Sequence, residues 1–587
     1  MDRKRFARML SDMAEMLELS GANQFKVRAY ENGARALMEF GGDLDEGVAT
    51  GALRKVPGIG DTIFAHAAEL VRTGRIAYHD ELRAKYPQGL SDCLRIPRLG
   101  ASKLRTLHQA LGVDSLESLE AACLDGRVAG LKGFGPKSRD HILRGIAAVR
   151  AASGFFLYPA ARARADRLVK ELSATGLARS VAVAGGVRRH SEVVAGVDLV
   201  AASDRPVDLA LSFCTLPEVV EVADSAAPAP SVRFLDGLPA TLAIVPPGAF
   251  PAALLHATGS AAHLDALRGH ARRQGLRLEP LGLFGGDGSP VELGDEESVY
   301  AALGLPPIPP VLREGSGEVE AAAAGTLPRL VRAEDLRGLI HVHTDASDGR
   351  ESLETMVAST RDAGYSWVAI TDHSRTAGYA GGLTEERVLA QREQIRALRR
   401  RMDGFRIFHG TEADILADGA IDFGDEFLGE LDVVVASVHS RFGLGRSEQT
   451  ERLIRAVRNP RVAVLGHPTG RLLLARDGLD ADMEAVIDAA AESGCAIEVN
   501  GSPRRLDLDW RLVRRAVARG VRIAIDPDAH AIRELRYALY GVGIAAKGWT
   551  TPDAVLNALD ADAFSAWLTA RRGGPTPESR DRLVRDG

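Results

Sequence analysis

The sequence predicts a multidomain α/β protein, with a helical front, a mixed α+β middle and a C-terminal unit built on a parallel sheet or barrel. The chain has 587 residues, too many for one core when domains usually run to roughly 100–200 residues. Residues 51–150 hold three short glycine-containing turns, each followed by a helical pattern. Beyond about Asp335, strand-like and helix-like segments alternate through about residue 570, as in sheets whose parallel strands are joined by crossover helices.

Composition narrows the class. Hydrophobic residues make up 45% and charged residues 26%, which excludes wholesale disorder. No apolar run reaches the roughly 18 residues of a membrane span, and the charged start MDRKRFARMLSDMAEMLELS lacks a signal peptide's apolar stretch. A cytoplasmic protein is expected. Cys93, Cys123, Cys214 and Cys495 are far apart and form no CxxC pair, so they read as small buried hydrophobes. The net charge is −6, yet residues 51–150 carry 16 Lys+Arg against 10 Asp+Glu, a local +6 that fits phosphate contact.

In residues 1–50, Phe6, Met9, Leu10, Met13, Met16 and Leu17 recur at three-four spacing, which predicts helix. The turns that follow open VPGIGDTIFAHAAEL (56–70), IPRLGASKLRTLHQAL (96–111) and LKGFGPKSRDHILRGI (131–146). Glycines at Gly58, Gly60, Gly100, Gly133 and Gly135 let the backbone bring amide N–H groups against a phosphate at a helix N-terminus, with Lys103 and Lys137 beside it. Such contacts read no base sequence. Between 180 and 245, VAVAGG, VDLVAAS, VDLALSF and TLAIV read as strands. The stretch 300–334, with LGLPPIPP and EAAAAG, reads as a linker, and the polar tail from Arg571 as frayed.

Metal-capable residues mark the C-terminal strand ends in regular order: His341 and His343, then Asp348, Asp372-His373, Glu412, His439, His467, and Asp528 with His530. Residues i and i+2 on a strand share a face, so His341 with His343, and Asp528 with His530, can grip one ion. Parallel barrel strands deliver all these ends to one mouth. Imidazole suits zinc, manganese or iron, and carboxylates bridge ions. One His at a strand end is ordinarily a satisfied core or surface residue; so many in register point to a polynuclear phosphoesterase centre.

These stretches, GLIHVHTDASDG, AITDHS, GTEADILADG, VASVHS, LGHPTGR, IEVNG and DAH, resemble the PHP (polymerase and histidinol phosphatase) family over about 240 residues. The resemblance implies a distorted (β/α)7 barrel holding three divalent ions, with Mn²⁺ expected ahead of Zn²⁺ or Fe. It places His341, His343, Glu412 and Asp528 on the first ion, Glu412, His439 and His467 on the second, and Asp348, His373 and His530 on the third. It assigns catalysis to His341, His343, Glu412 and Asp528 through a metal-activated hydroxide. Asp526 shares a strand face with Asp528 and reads as a substitute ligand or a supporting carboxylate.

With NQFKVRAYENGARAL, AGGVRRHSEVVAGVDLV, TGSAAHLDALRGHARRQGLRLEPLGLF and YAALGLPPIPPVLREGSGEVEAA added, almost the whole chain resembles bacterial family X DNA polymerases. The implied order is a lyase-like helical domain with the first helix-hairpin-helix (1–85), a helix-hairpin-helix DNA-binding region (86–150) and an α+β nucleotidyltransferase-like palm (151–246). A small nucleotide-binding subdomain (247–315), a linker (316–334) and the PHP domain (335–575) follow. DNA with a gap, a nick or a recessed 3′ end is the implied partner, bound mainly by its phosphates. A monomer that associates with the bacterial nucleoid is expected.

The palm departs from the family pattern. Gly185-Gly186 stands for the Gly-Ser pair, Gly196 for the first metal Asp and Thr241 for the third, leaving Asp198 alone, with Arg188 and Arg189 still present to meet phosphate. Asp236, five residues before Thr241, leaves that last alignment open. One Asp is a poor cage for Mg²⁺, so no Mg²⁺ pair and little polymerase activity are expected. The family's Schiff-base lysine falls at His66, which argues against lyase activity. The expected activity is therefore metal-dependent 3′-end processing, as a 3′–5′ exonuclease or 3′-phosphatase. The alternatives are a gap-filling repair polymerase with a PHP exonuclease, a DNA-binding scaffold, or a small-phosphoester phosphatase.

Overall fold

A computed structural model of the chain describes residues 3–40, 43–87, 89–96, 99–225 and 228–572. Pro97 and Arg98 of the second turn, and the tail from residue 573, lie outside the described residues.

The front is helical. Helices Arg3–Ser20 and Gln24–Glu39 pair through the three-four stripe, with Phe6, Leu10, Met13 and Leu17 buried. The three turns lead into helices Asp61–Thr73, Ala101–Leu111 and Pro136–Ala152. Gly58 and Gly133 have φ of +95° and +89°, the left-handed region that only glycine enters freely.

The middle unit carries a five-stranded sheet: β1 (Ser180–Val183), β2 (Val197–Ala202), β3 (Val219–Asp224), β4 (Ser231–Phe234) and β5 (Pro239–Val245). Its order is β1-β2-β5-β4-β3, with only β2 and β5 parallel. The segment VDLALSF, expected as a strand, is instead a helix, Pro206–Cys214. Alternation puts Val207, Leu209, Leu211 and Phe213 on one strand face, whereas the fold buries Leu209 and Phe213 and exposes Val207 and Leu211. That i, i+4 selection is helical, and Pro206 suits a first helical turn.

Residues 250–312 form a separate small core of helices Phe250–Thr258, Ala261–Arg273 and Glu296–Ala302 with a hairpin, Leu276–Glu279 and Gly282–Gly285. The stretch expected as a linker is ordered here. Its helix Glu318–Ala323 buries Val319 and Ala322 in that core, and the Glu318 carboxylate accepts the N–H groups of Gly315 and Ser316 and pairs with His263 Nδ1 at 2.7 Å.

The C-terminal unit is a nearly closed parallel barrel in sequence order, as expected: β6 (Gly338–Val342), β7 (Trp367–Ile370), β8 (Arg406–Asp414), β9 (Val433–Ser437), β10 (Val464–Leu465), β11 (Ala496–Asn500) and β12 (Ile523–Asp526). The ring is joined just beyond β12, where Ala529 bridges Val342 and its carbonyl accepts the His343 N–H at 2.9 Å. These strands are buried on both faces, which explains their continuous apolar runs.

The middle unit docks directly on this barrel. His190, at φ +59°, stacks on Tyr158 with ring centroids 4.0 Å apart and packs against Gly543, where a Cβ would lie 2.1 Å from the imidazole. Gly543→Ala is therefore expected to lower stability by about 1–3 kcal/mol through overpacking, measured by denaturant unfolding. Burial, helped by Arg162 and Lys547, holds the His190 pKa down to about 3. The unfolded chain takes up a proton below about pH 6.5, while the folded chain resists it. This contribution is thus complete above pH 6.5 and is lost as pH falls toward 3. The melting temperature should fall over that window, and His190→Phe should flatten that part of the profile.

Candidate metal centre

The nine ligand residues expected from the resemblance come from six barrel strands or the loops that follow them, and they converge at one end of the barrel. Their donor atoms form four overlapping groups, within each of which all lie inside 4.8 Å of one another: His341, His343 and Asp528; His341, Glu412 and His467; His373, Glu412 and His439; and His343, Asp348, His373 and His530. The grouping differs in detail from the expectation. His467 and His439 fall in separate groups, although both Nε2 atoms approach Glu412 Oε1, at 3.0 and 3.3 Å, and His343 also faces the Asp348 group.

Glu412, on β8, is the hub. Its oxygens lie 3.3 Å from His341 Nε2, 3.7 Å from His343 Nε2, 2.8 Å from His373 Nδ1, 3.3 Å from His439 Nε2 and 3.0 Å from His467 Nε2. Asp528 Oδ1 lies 3.5 Å from His341 and 3.4 Å from His343, and Asp348 Oδ1 lies 3.2 Å from His530 and 3.5 Å from His373. Burial opposes the Glu412 charge, but His341, His373 and His439 outweigh it and hold its carboxyl well below the usual range. Burial and the neighbouring His530 and His373 push His343 down to about 3. His341, His467 and Asp528 have φ of +58°, +23° and +52°. Strain of this kind costs about 1–3 kcal/mol per residue and collects at functional sites.

The donors fit divalent metal. Nε2 of His341 and His343 and Oε2 of Glu412 are buried without a hydrogen-bond partner, which is costly unless a ligand satisfies them. A mixed imidazole and carboxylate set suits Mn, Zn or Fe.

Several supporting residues went unassigned from sequence. Glu498, on β11, pairs with His341 Nδ1 at 2.5 Å and accepts the His467 N–H, and Asp414 pairs with His439 Nδ1 at 2.6 Å. The two ring contacts aim Nε2 of His341 and of His439 into the cluster. Asp414 stands two residues after Glu412, so the i, i+2 rule applied to His341 and His343 marks it too. Asp372 joins no donor group; it accepts hydrogen bonds from Thr344, Ser347 and Gln391, and so holds the loop that carries Asp348. Asp526 likewise lies outside the donor groups. Burial and the Glu498 charge push it up to about 8, and it accepts from Ile340 N–H and Asn557, as a supporting carboxylate does.

Several arginines stand close in sequence to these ligands. Arg505 Nε lies 3.3 Å from Asp528 Oδ2. Arg350, Arg441 and Arg504, on loops next to ligands, are exposed and have no carboxylate partner among the described residues. Tyr379 is 72% exposed, with its ring 6.2 Å from those of His373 and His439.

In the middle unit, a cavity of about 410 Å³ is lined by Gly186, Arg189, Gly196, Asp198 and Thr241, among others. Asp198 on β2 pairs in register with Thr241 on β5. Asp236 lies in the preceding turn, bonded to Arg164 at 2.9 Å, so Thr241 rather than Asp236 stands beside Asp198. Arg188 and Arg189 pair with Glu296 and Glu314, and Arg189 also lines this cavity. At the front, Gly58, Gly60, Gly100 and Gly133 are exposed and Gly135 half-buried. Lys103 and Lys137 meet with His141 and Arg144 around a cavity of about 310 Å³. His66 pairs with the Tyr30 hydroxyl at 3.0 Å and stacks on Tyr78.

Residues 1–76 match the helix-hairpin-helix domain family, residues 253–314 the DNA polymerase beta thumb and residues 340–502 the PHP domain. The chain is 35% identical over 576 residues, 97% of its length and 99% of the relative's, to the DNA polymerase/3′-5′ exonuclease PolX of Bacillus subtilis. It is 31% identical over 200 residues to a probable phosphatase of Caldicellulosiruptor saccharolyticus, and 30% identical over 209 residues to one of Caldanaerobacter subterraneus. Those matches cover 32% and 33% of this chain, and 78% and 77% of the relatives. The PHP domain and these relatives imply divalent metal at the barrel mouth. Loss of a donor should show directly: Glu412→Ala is expected to lower bound Mn²⁺ per chain, measured by elemental analysis after dialysis, more than Asp526→Asn does.

Proposed function

This chain belongs to the bacterial family X DNA polymerases that carry a PHP domain, and on that premise we propose that it is a metal-dependent 3′-end-processing phosphoesterase, chiefly a 3′–5′ exonuclease, whose palm no longer synthesises DNA. The observation that carries this reading is the convergence of nine imidazole and carboxylate residues at one end of the barrel, five of them buried.

His341, His343, Glu412 and Asp528 would hold one divalent ion, Glu412, His439 and His467 a second, and Asp348, His373 and His530 a third. When bound, such ions supply activated water and charge neutralisation at a phosphoryl group. The protein's part is to keep Glu412 ionised among five imidazoles, orient His341 and His439 through Glu498 and Asp414, and draw a polyanionic strand to the mouth with Arg350, Arg441 and Arg504. The turns at Gly58, Gly60, Gly100, Gly133 and Gly135, with Lys103 and Lys137, would hold the duplex by its phosphates. Gapped, nicked and 3′-recessed duplexes are the substrates this arrangement favours.

Loss of synthesis rests on carboxylate count. Asp198 faces Thr241 across the β2–β5 register, and Gly196 stands two residues before it, so one acidic side chain remains where two Mg²⁺ ions need several. The full-length likeness to PolX of Bacillus subtilis favours a second reading, a gap-filling polymerase with an associated exonuclease. Labelled 3′-recessed and 3′-phosphate duplexes, incubated with Mn²⁺ with and without dNTPs, separate the two. Shortening without dNTP-dependent extension is expected, with His341→Ala and Glu412→Ala each reducing hydrolysis at least about 100-fold. Extension that disappears in Asp198→Ala would establish the second reading instead.

A further inference from the structure

Glu192 follows His190 in the palm loop that docks on the barrel, yet its carboxylate reaches into the barrel's own loops. Its Oε1 lies 2.9 Å from Arg471 Nη2, and both side chains are largely buried, at 14% and 16% exposed. Arg471 follows the ligand His467 by four residues and grips the loop after β11 at several points. Nε donates to the Arg505 carbonyl at 3.0 Å, Nη2 to the Leu506 carbonyl, and Nη1 lies 3.2 Å from Asp509 Oδ2. That loop presents Arg505, whose Nε lies 3.3 Å from Asp528 Oδ2 and whose side chain is 19% exposed. A guanidinium fork matches the oxygens of a phosphoryl group. Arg471 is thus shared between a carboxylate of its own domain, Asp509, and one contributed by the palm.

We propose that Glu192 is a positioning residue of the barrel site: through Arg471 it fixes the loop that presents Arg505, and Arg505 holds a non-bridging oxygen of the substrate phosphoryl group. The palm would then complete the barrel's substrate site. This rests on the phosphoesterase reading. Removing Glu192 leaves a buried cation without one of its counter-charges and frees the loop to shift, and shifts of about 1 Å in such groups cost up to about 100-fold in rate.

The test uses the full Mn²⁺-loaded chain, with inorganic phosphate as the probe in calorimetry and a labelled 3′-recessed duplex in kinetics. Arg505→Ala is expected to weaken phosphate binding about tenfold or more, the range for a hydrogen bond to a charged group, and to raise KM. Glu192→Gln, which keeps the side chain's shape, should produce about a 3–10-fold change in the same two quantities, with Mn²⁺ content preserved, and Glu192→Asp should restore part of it. In the Arg505→Ala background, Glu192→Gln should add nothing. Phosphate binding unchanged in Glu192→Gln, an equal loss in both backgrounds, or a fall in Mn²⁺ content would each overturn the proposal. If the parent chain hydrolyses no DNA end, the phosphoesterase reading fails by itself, and calorimetry with phosphate still decides the relay.

Discussion

Five imidazoles surround the single buried carboxylate of Glu412, and much of the barrel is organised to make that arrangement tolerable. An ionised carboxylate buried in a protein needs compensating charge or hydrogen bonds. Here compensation comes from strand ends brought together by barrel closure, from β6 through the residues after β12. Glu498 and Asp414 set the ring orientations, Asp372 pins the loop that carries Asp348, and the left-handed backbone at His341, His467 and Asp528 aims side chains that an ordinary strand would turn elsewhere. Packing elsewhere has to offset that strain, and the barrel strands, buried on both faces, provide it.

The same economy shapes the palm. Arg188 and Arg189 are consumed in pairs with Glu296 and Glu314, and Glu314 is also met by Lys547 of the barrel domain. His190 seats against Gly543, and Glu192 pairs with Arg471. A loop with so many partners in neighbouring units is a joint. Its side chains are committed to holding domains together, which limits their freedom to follow a nucleotide. Docking through buried polar pairs also makes the interface specific, because a misaligned partner leaves charges uncompensated.

Much of the site was legible because strand ends repeat. A His, Asp or Glu at the end of strand after strand is visible in a linear string, and the period-two rule shows which of them share a face. The same rule marks Asp414 as readily as His343. Glu498 was harder, since a carboxylate inside AIEVN announces burial without naming its partner, and that partner, His341, is 157 residues away. VDLALSF failed for a different reason. Its apolar residues fit a strand face as well as a helical stripe, and only the packing of Leu209 and Phe213, with Val207 and Leu211 left outside, decides between them. The stretch read as a linker misled through composition: Ala and Pro suit a free chain, but Val319, Ala322 and the satisfied carboxylate of Glu318 anchor it.

Local chemistry is what the sequence alone determined: the order of units, the glycine turns, the alternation that closes into a barrel, and the run of metal-capable residues at its strand ends. These are properties of short segments, because side-chain type, spacing and backbone freedom act over a few residues. Tertiary structure decided which donors meet, that Asp372 and Asp526 support the site from outside the donor groups, that Thr241 rather than Asp236 stands beside Asp198, and that a palm glutamate enters the barrel's loop network. Those outcomes depend on contacts between residues far apart in the chain. Their partners are selected by burial and charge compensation across the whole fold, and no local pattern encodes that selection.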